Sequence, residues 1–161
     1  MKFVVDTGAL LSLSYSFQFK LLLREYALVI TPGVKSELEQ FSRYPDALGR
    51  KAQEILALQL KSIIPSAVLS LPLEKAECEV FSVASEKGYL ALTDDVHAAR
   101  VLWEKKKVIC KPSFYLLLLL YQKKKLPKES LVADIKIILK YRNWLSGALW
   151  EYALQLLEDI K

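Results

Sequence analysis

Histidine is almost absent from this chain of 161 residues, which contains only His97. A histidine-rich metal site is therefore excluded, and a histidine-based catalytic triad would have to use this one residue. His97 falls one turn into a predicted helix, beside two alanines, where a structural role is the more frequent one. Carboxylates are left as the main candidates for chemistry.

Cysteine is also scarce, with only Cys78 and Cys110. Two cysteines are too few for a disulfide framework, and they lack the Cys-x-x-Cys spacing of a zinc or redox site. We interpret both as buried free thiols.

Long apolar runs are missing as well. The longest uncharged one, residues 114–121, is far shorter than the roughly 20 residues that cross a bilayer. Near the N-terminus, Asp6 interrupts the apolar stretch that a secretory signal needs. We expect no membrane contact and a cytoplasmic location. The formal net charge of +5 gives a mild preference for polyanionic partners.

Short apolar strands alternate with helical segments in the first two thirds of the chain. The first strand is predicted to stop at Asp6-Thr7-Gly8, where Gly8 permits the turn into a following helix. Alternation at this spacing indicates right-handed crossovers and a parallel sheet between helices. The fold class is α/β: a three-layer α/β/α arrangement with a parallel sheet of four to five strands. Strands are predicted at 1–5, 27–30, 89–93 and 107–110, a short extended piece at 63–64, and helices at 17–26, 32–41, 46–60, 73–87 and 96–106.

From Ser113 onward only helices are predicted, at 114–122, 129–141 and 145–160. We expect a single domain over 1–161, with a core over 1–112 and a C-terminal helical extension over 113–161. Most of an apolar stripe on the last helices should lie in the core, and any uncovered part would contact a second copy, giving a homodimer, or another protein. The stripe consists of Leu131, Ile135, Ile138, Leu139, Leu145, Leu149, Tyr152 and Leu156.

Acidic residues recur where the predicted strands end. Asp6 follows the first strand, Asp94 and Asp95 follow the third, and Glu37 lies in the first two turns of the helix after the second. The carboxyl ends of parallel strands face one crevice. Two carboxylates there, about 5 Å apart, repel by about 3 kcal/mol, so a divalent cation is expected to neutralise them. Oxygen ligands favour Mg²⁺ or Mn²⁺, and such ions support phosphodiester hydrolysis.

The predicted helix over 73–87 adds a further acid, either Glu77 or Glu79. Glu77 shares a helix face with Val80 and Phe81 and is expected to point toward the sheet. Glu79 is rotated away from that face and is expected to meet solvent.

Each acid also has an ordinary structural interpretation. Asp6 fits a turn, Glu37 fits a helix start stabilised by the helix dipole, and Asp94 fits the N-cap of the helix that begins at Val96. The coincidence of all three at one edge of the sheet favours the functional interpretation.

Several segments carry a resemblance to a known family: VVDTGAL at 4–10, ITPGVKSEL at 30–38, ALTDD at 91–95 and the acidic helix at 77–88. In this order they resemble the PIN domain, a family of metal-dependent ribonucleases that includes the toxins of VapC-type toxin–antitoxin pairs. The resemblance covers about residues 1–112, and the final helices are similar to those of a branch of prokaryotic PIN proteins.

The resemblance implies an endoribonuclease that cleaves RNA phosphodiesters with Mg²⁺ or Mn²⁺. The family's acidic quartet corresponds here to Asp6, Glu37, Glu77 and Asp94.

Within that quartet the resemblance implies metal ligation by Asp6, Glu77 and Asp94. Asp95 would bind the metal directly or through water, and Thr93 would orient the loop. Glu79 stays open as the alternative third acid.

The resemblance also implies a toxin role, with a small antitoxin protein as partner. The alternative function is a PIN-like module that binds RNA or protein without cleaving it. A phosphoryl-accepting receiver domain is set aside, because it requires an acidic pair after the first strand, where only Asp6 stands.

Overall fold

The computed structural model describes residues 1–144 and 146–159. Across these residues, four strands form one parallel sheet in the order β2-β1-β3-β4. Val4 of β1 is in register with Val29 of β2 and Ala91 of β3. The predicted parallel sheet is therefore confirmed. The strands are β1 (Lys2–Val5), β2 (Ala27–Val29), β3 (Leu90–Leu92) and β4 (Cys110–Lys111).

Helices connect and cover the strands. Phe3, Val4 and Val5 are all fully buried, although consecutive strand residues point to opposite faces, so both faces of the sheet are covered. This confirms the three-layer α/β/α arrangement. The helices are α1 (Thr7–Ser14), α2 (Phe19–Glu25), α3 (Pro32–Phe41), α4 (Ala47–Ala57), α5 (Lys75–Lys87), α6 (Val96–Lys106), α7 (Tyr115–Gln122), α8 (Lys128–Tyr141) and α9 (Ala148–Asp159).

Local end signals place several helices as predicted. Thr31 caps α3 by accepting a hydrogen bond from the Val34 amide, and Pro32 follows at the first helical position. Gly88 ends α5 in the left-handed conformation, with φ of 65°. These short motifs fix where the acidic helices begin and end relative to the sheet.

The turn predicted at Gly8 is wrong. Helix α1 begins at Thr7, directly after Asp6, and Gly8 lies inside this helix. Asp6 itself starts the helix, since its Oδ1 accepts a hydrogen bond from the Ala9 amide at 3.1 Å. The acid that follows β1 is therefore held at the N-terminus of a helix.

Two extended segments differ from their predicted positions. The last strand is Cys110–Lys111 and not 107–110, because Lys107 ends α6 in the left-handed conformation, with φ of 56°. The extended piece predicted at 63–64 is a single parallel bridge between Ile30 and Ser62.

The apolar stripe of the last helices is mostly internal in α8, where Leu131, Ile135, Ile138 and Leu139 are buried. In α9 Leu149 and Leu156 are half-buried, and Tyr152 is 37% exposed. Leu145 and Ile160, which begin and end the last predicted helix, lie outside the described residues.

Both cysteines are free thiols. Cys78 is buried as predicted, whereas Cys110 is only half-buried.

Among the described residues, no helix is both long enough and apolar enough to cross a membrane.

Candidate functional site

A cavity of about 540 Å³ lies where β1 and β3 end. Six carboxylates and one guanidinium line it, together with an apolar and aromatic wall. The structure thus places all of the acids assigned to the quartet around one space. The charged lining residues are Asp6, Glu37, Glu74, Glu77, Asp94, Asp95 and Arg142, and the wall includes Val34, Phe41, Tyr44, Leu48 and Trp144.

Asp6 is 7% exposed and uses both carboxylate oxygens. Its Oδ1 caps α1 and its Oδ2 accepts a hydrogen bond from the Thr93 hydroxyl. Burial raises the pKa of Asp6 from the usual 3.8 to about 7, although the bonds from Thr93 and Ala9 act in the opposite direction. Without a cation beside it, this carboxyl group is thus ready to hold a proton near neutral pH.

Thr93 connects the ends of the two central strands. Its hydroxyl donates to Asp6 and accepts a hydrogen bond from the Asp95 amide at 3.0 Å. Asp95 in turn caps α6 by accepting from the Ala98 amide at 2.8 Å. The N-cap of α6 is therefore Asp95, and the capping alternative considered for Asp94 does not apply.

The segment that follows β4 holds Asp94 in place. Its Oδ1 accepts a hydrogen bond from the Ser113 amide, just after β4, at 2.7 Å. Its Oδ2 is buried and has no hydrogen-bond partner among the described residues. Burial raises the pKa of Asp94, opposed by the bond from Ser113 and by the charge of Arg142. A buried carboxylate oxygen without a partner is unfavourable unless another group satisfies it.

Glu37 reaches the cavity from α3 and is half-buried. The hydroxyl of Thr7, one residue after Asp6, donates a hydrogen bond to Glu37 Oε2. This contact joins the start of α1 to the middle of α3 across the cavity.

Of the two candidate acids of α5, only Glu79 differs from the environment that the helix face predicts. Glu77 is half-buried, lines the cavity, and accepts a hydrogen bond from the Glu74 amide at 3.0 Å. Burial raises the pKa of Glu77, and the charges of Asp95 and Glu37 add to this effect.

Glu79 does not meet solvent, as the sequence predicted, because it is only 6% exposed. Its Oε2 accepts a hydrogen bond from the Gly33 amide, at the start of α3, at 2.7 Å. A Cβ at residue 33 would lie 2.8 Å from Ala76 Cα and 2.9 Å from this same oxygen. Glycine at this position thus permits the close contact between α3 and α5. Glu79 does not line the cavity, whereas Glu77 does.

The carboxylates are suitable ligands for a hard divalent cation by their chemical type, but their present positions do not form a coordination site. Within residues 1–144 and 146–159, no three acidic, histidine or cysteine side chains already form a group that could hold a metal ion. All candidate ligands are nonetheless oxygens, which Mg²⁺ and Mn²⁺ prefer, and Asp94 Oδ2 is available as a buried ligand without a partner. Residues Asp6, Glu77, Asp94 and Asp95 could hold such an ion only after their side chains reorient.

Sequence reasoning missed four residues of this site: Thr7, Glu74, Arg142 and Trp144. Glu74 stands three residues before Glu77, and this spacing is a capping-box signal. Thr7 is part of the motif at 4–10, but that motif does not indicate its hydrogen bond to Glu37. Arg142 and Trp144 have no such signal, because their positions in the site follow from tertiary packing.

A model of the PIN domain family matches residues 2–159. The match includes the C-terminal helices as well as the strands that carry the acids. No curated protein matches the chain.

Proposed function

The chain belongs to the PIN domain family, and from this premise we propose that it is a metal-dependent endoribonuclease that hydrolyses RNA phosphodiesters. The fold is a nuclease fold. The observation that carries the proposal is that four acids from four separate segments of the chain line one cavity: Asp6, Glu37, Glu77 and Asp94. So dense a cluster of carboxylates is unfavourable unless cations compensate it.

In this proposal Asp6, Glu77 and Asp94 hold Mg²⁺ or Mn²⁺, with Asp95 beside them. The ion would supply orientation of the phosphodiester and stabilisation of its developing negative charge. Thr93 keeps Asp6 in place through its hydroxyl. We assign Glu37 the role of accepting the proton of the attacking water, since it faces the other acids from α3.

Replacement of Asp94 by Asn tests the proposal. We expect Asp94→Asn to reduce Mg²⁺- or Mn²⁺-stimulated cleavage of a labelled single-stranded RNA by at least about a hundredfold, because an amide is a much weaker ligand for the cation. Asp159→Asn is a matched control, since it makes the same change at an exposed residue of α9 and should cleave like the unmodified chain. Cleavage by Asp94→Asn at the control rate would contradict the assignment.

The alternative is a PIN domain that binds RNA or protein without cleaving it. One observation favours it: among the described residues the acids do not already form a metal-binding group. Isothermal titration with Mn²⁺ separates the two functions. The nuclease requires Mn²⁺ binding that Asp94→Asn weakens, whereas the binding module predicts no Mn²⁺ binding and an RNA affinity unaffected by EDTA.

The toxin role, the antitoxin partner and the homodimer stay predictions from the sequence. If the chain is the toxin of a pair, its induced expression in bacteria should arrest growth, whereas expression of Asp94→Asn should not. Co-expression of a small protein encoded beside it should restore growth.

Light scattering of the purified chain measures whether it forms a dimer.

A further inference from the structure

Arg142 is the one basic side chain among the described residues that line the acidic cavity. Its Nε is buried and has no hydrogen-bond partner, and no described carboxylate forms an ion pair with it. The charge of Arg142 favours the ionised form of Asp94, but this interaction at a distance leaves the Nε without an acceptor. A buried guanidinium nitrogen without a partner is unfavourable, and it calls for an acceptor that the described residues do not provide.

The turn at the C-terminal end of α8 places Arg142 and Trp144 at the cavity. The Arg142 amide donates to Ile138 O at 2.9 Å, and the Trp144 amide donates to Leu139 O at 3.0 Å. Asn143 between them takes the left-handed conformation, with φ of 55°. This helix-ending turn places the guanidinium centre 6.0 Å from the centre of the Trp144 ring.

Arg142 also approaches the N-terminus of α1. A Cβ built on Gly8 would lie 3.4 Å from Asp6 Oδ1 and 3.9 Å from Arg142 Nη2. The guanidinium therefore faces the same small space as Asp6 without bonding to it. A group with several negatively charged oxygens could contact a cation held by the acids through one oxygen. Another oxygen of the same group would then contact Arg142.

We propose that Arg142 binds a phosphate group of single-stranded RNA in this cavity and that Trp144 stacks on the adjacent base. The proposal rests on the proposed function, because it names how that site recognises its substrate. A guanidinium binds phosphate oxygens through two parallel hydrogen bonds, and an indole ring accepts any base by stacking. Phosphate and base are adjacent in a nucleotide, and here the guanidinium lies over one face of the Trp144 ring, so the base would stack on the opposite face. Arg142 is thus a substrate-positioning residue and Trp144 a base platform.

The first test measures RNA affinity without turnover. A fluorescent ten-nucleotide single-stranded RNA is titrated with the full chain in Ca²⁺ in place of Mg²⁺, and again in EDTA, over a series of salt concentrations. We expect Arg142→Ala to weaken binding about tenfold or more. The slope of log affinity against log salt should shrink by about 0.7, the value for one phosphate contact on a single strand.

Lys136→Ala is the matched control, because it removes one positive charge from an exposed position of α8, the helix that Arg142 follows. The control should bind RNA like the unmodified chain, and Arg142→Lys should bind with intermediate affinity, because lysine keeps the charge but not the paired hydrogen bonds. Circular dichroism checks that each variant is folded. Equal affinities and salt slopes for Arg142→Ala and Lys136→Ala would overturn the role of Arg142. So would tighter Mn²⁺ binding by Arg142→Ala with unchanged RNA affinity, which is the result expected of a cation that only neutralises the acids.

The second test uses tryptophan fluorescence. RNA should quench the emission of the unmodified chain and of Trp103→Phe, because stacking on a base quenches indole fluorescence, and the quenching should be lost in Trp144→Phe. Trp103 is a suitable control, since it is 49% exposed on α6 and does not line the cavity. Quenching that persists in Trp144→Phe would overturn the base platform.

The experiments distinguish failure of the proposed nuclease function from failure of the proposed RNA binding by Arg142. A chain that never cleaves RNA but binds it through Arg142 would refute the nuclease and leave this inference standing. A chain that cleaves RNA, and whose Arg142→Ala variant binds RNA normally, would refute the inference alone.

Discussion

Asp6 shows how one side chain serves both folding and the proposed chemistry. One carboxylate oxygen starts α1 and the other accepts the hydroxyl of Thr93. The capping role does not compete with a functional one, since a helix N-terminus also stabilises the negative charge that a metal ligand must carry. At the residue scale, a structural explanation of an acid is therefore no argument against its being a ligand.

The pKa of Asp6 predicts how the stability of the metal-free protein depends on pH. The folded chain holds this proton up to about pH 7, whereas an ordinary aspartate has a pKa of 3.8. As the pH rises between these values, the unfolded chain loses the proton first, so the free energy of unfolding decreases. Urea unfolding in EDTA at a series of pH values should show that decrease and its end above about pH 7.

The comparison with Asp6→Asn isolates this residue from other titrating groups. The asparagine variant has no titrating group at residue 6. The difference in unfolding free energy between it and the unmodified chain should therefore change from about pH 4 to about pH 7 and then stay constant. Parallel pH profiles of the two proteins would contradict the assignment of the raised pKa to Asp6.

At the scale of elements, the contact between α3 and α5 sets the positions of Glu37 and Glu77. The two helices approach so closely at Gly33 that a Cβ there would lie 2.8 Å from Ala76 Cα. Glu79 reinforces the contact with its hydrogen bond to the Gly33 amide. The helix pair thus carries two acids of the cavity at a fixed separation.

Gly33→Ala should force α3 away from α5. The added methyl group would meet backbone, which cannot move aside, so we expect a loss of about 1–3 kcal/mol in unfolding free energy. RNA cleavage should fall as well, since the shift separates Glu37 from Glu77. Chemical unfolding and the cleavage assay measure the two effects.

Gly8→Ala is the control for the stability measurement. Gly8 also lies within a helix, but a Cβ there would make only ordinary contacts, at 3.4 Å or more. Alanine favours helix formation, so this variant should be as stable as the unmodified chain or more stable by up to about 1 kcal/mol. If both alanine variants lose stability equally, the close contact at Gly33 is not the cause.

The elements that local signals specify could be predicted, and those that depend on partners could not. Thr31-Pro32 and Gly88 mark helix ends by their own conformational preferences, so the bounds of α3 and α5 follow from sequence. The helix face alone does not place Glu79, because the sheet is not the only neighbour of α5. Helix α5 also packs against α3, so a side chain turned away from the sheet is still buried.

At the scale of the whole molecule, the cavity combines residues from both ends of the chain. The order of strands brings Asp6 beside Thr93 and Asp94, and this much followed from the rule that parallel strands end at one edge. Arg142 could not be predicted, because its place depends on how α8 docks against α1, which no spacing or motif encodes.

That docking depends on a buried carboxylate. Asp134 in α8 is fully buried and accepts hydrogen bonds from Ser16 Oγ and from the Phe17 amide, both at 2.9 Å. These bonds hold α8 against the connection between α1 and α2. Asp134 lies eight residues before Arg142 in the chain. Burial raises the pKa of Asp134, although both bonds favour its charged form.

Asp134→Ala should therefore weaken both the fold and RNA binding. It leaves the buried Ser16 hydroxyl and the partly buried Phe17 amide without their acceptor. The loss of the buried bond alone costs about 1–3 kcal/mol in unfolding free energy before any relaxation, and the change loosens the helix that presents Arg142. Asp134→Asn keeps one acceptor oxygen and should lose less. Glu129→Ala, at an exposed position of the same helix, should change stability by about 0.5 kcal/mol or less. Urea unfolding and RNA titration in Ca²⁺ measure both quantities. If Asp134→Ala is destabilised but binds RNA as tightly as the Glu129→Ala control, the docking of α8 does not position Arg142, and the link between the C-terminal helices and the acidic cavity would have to be abandoned.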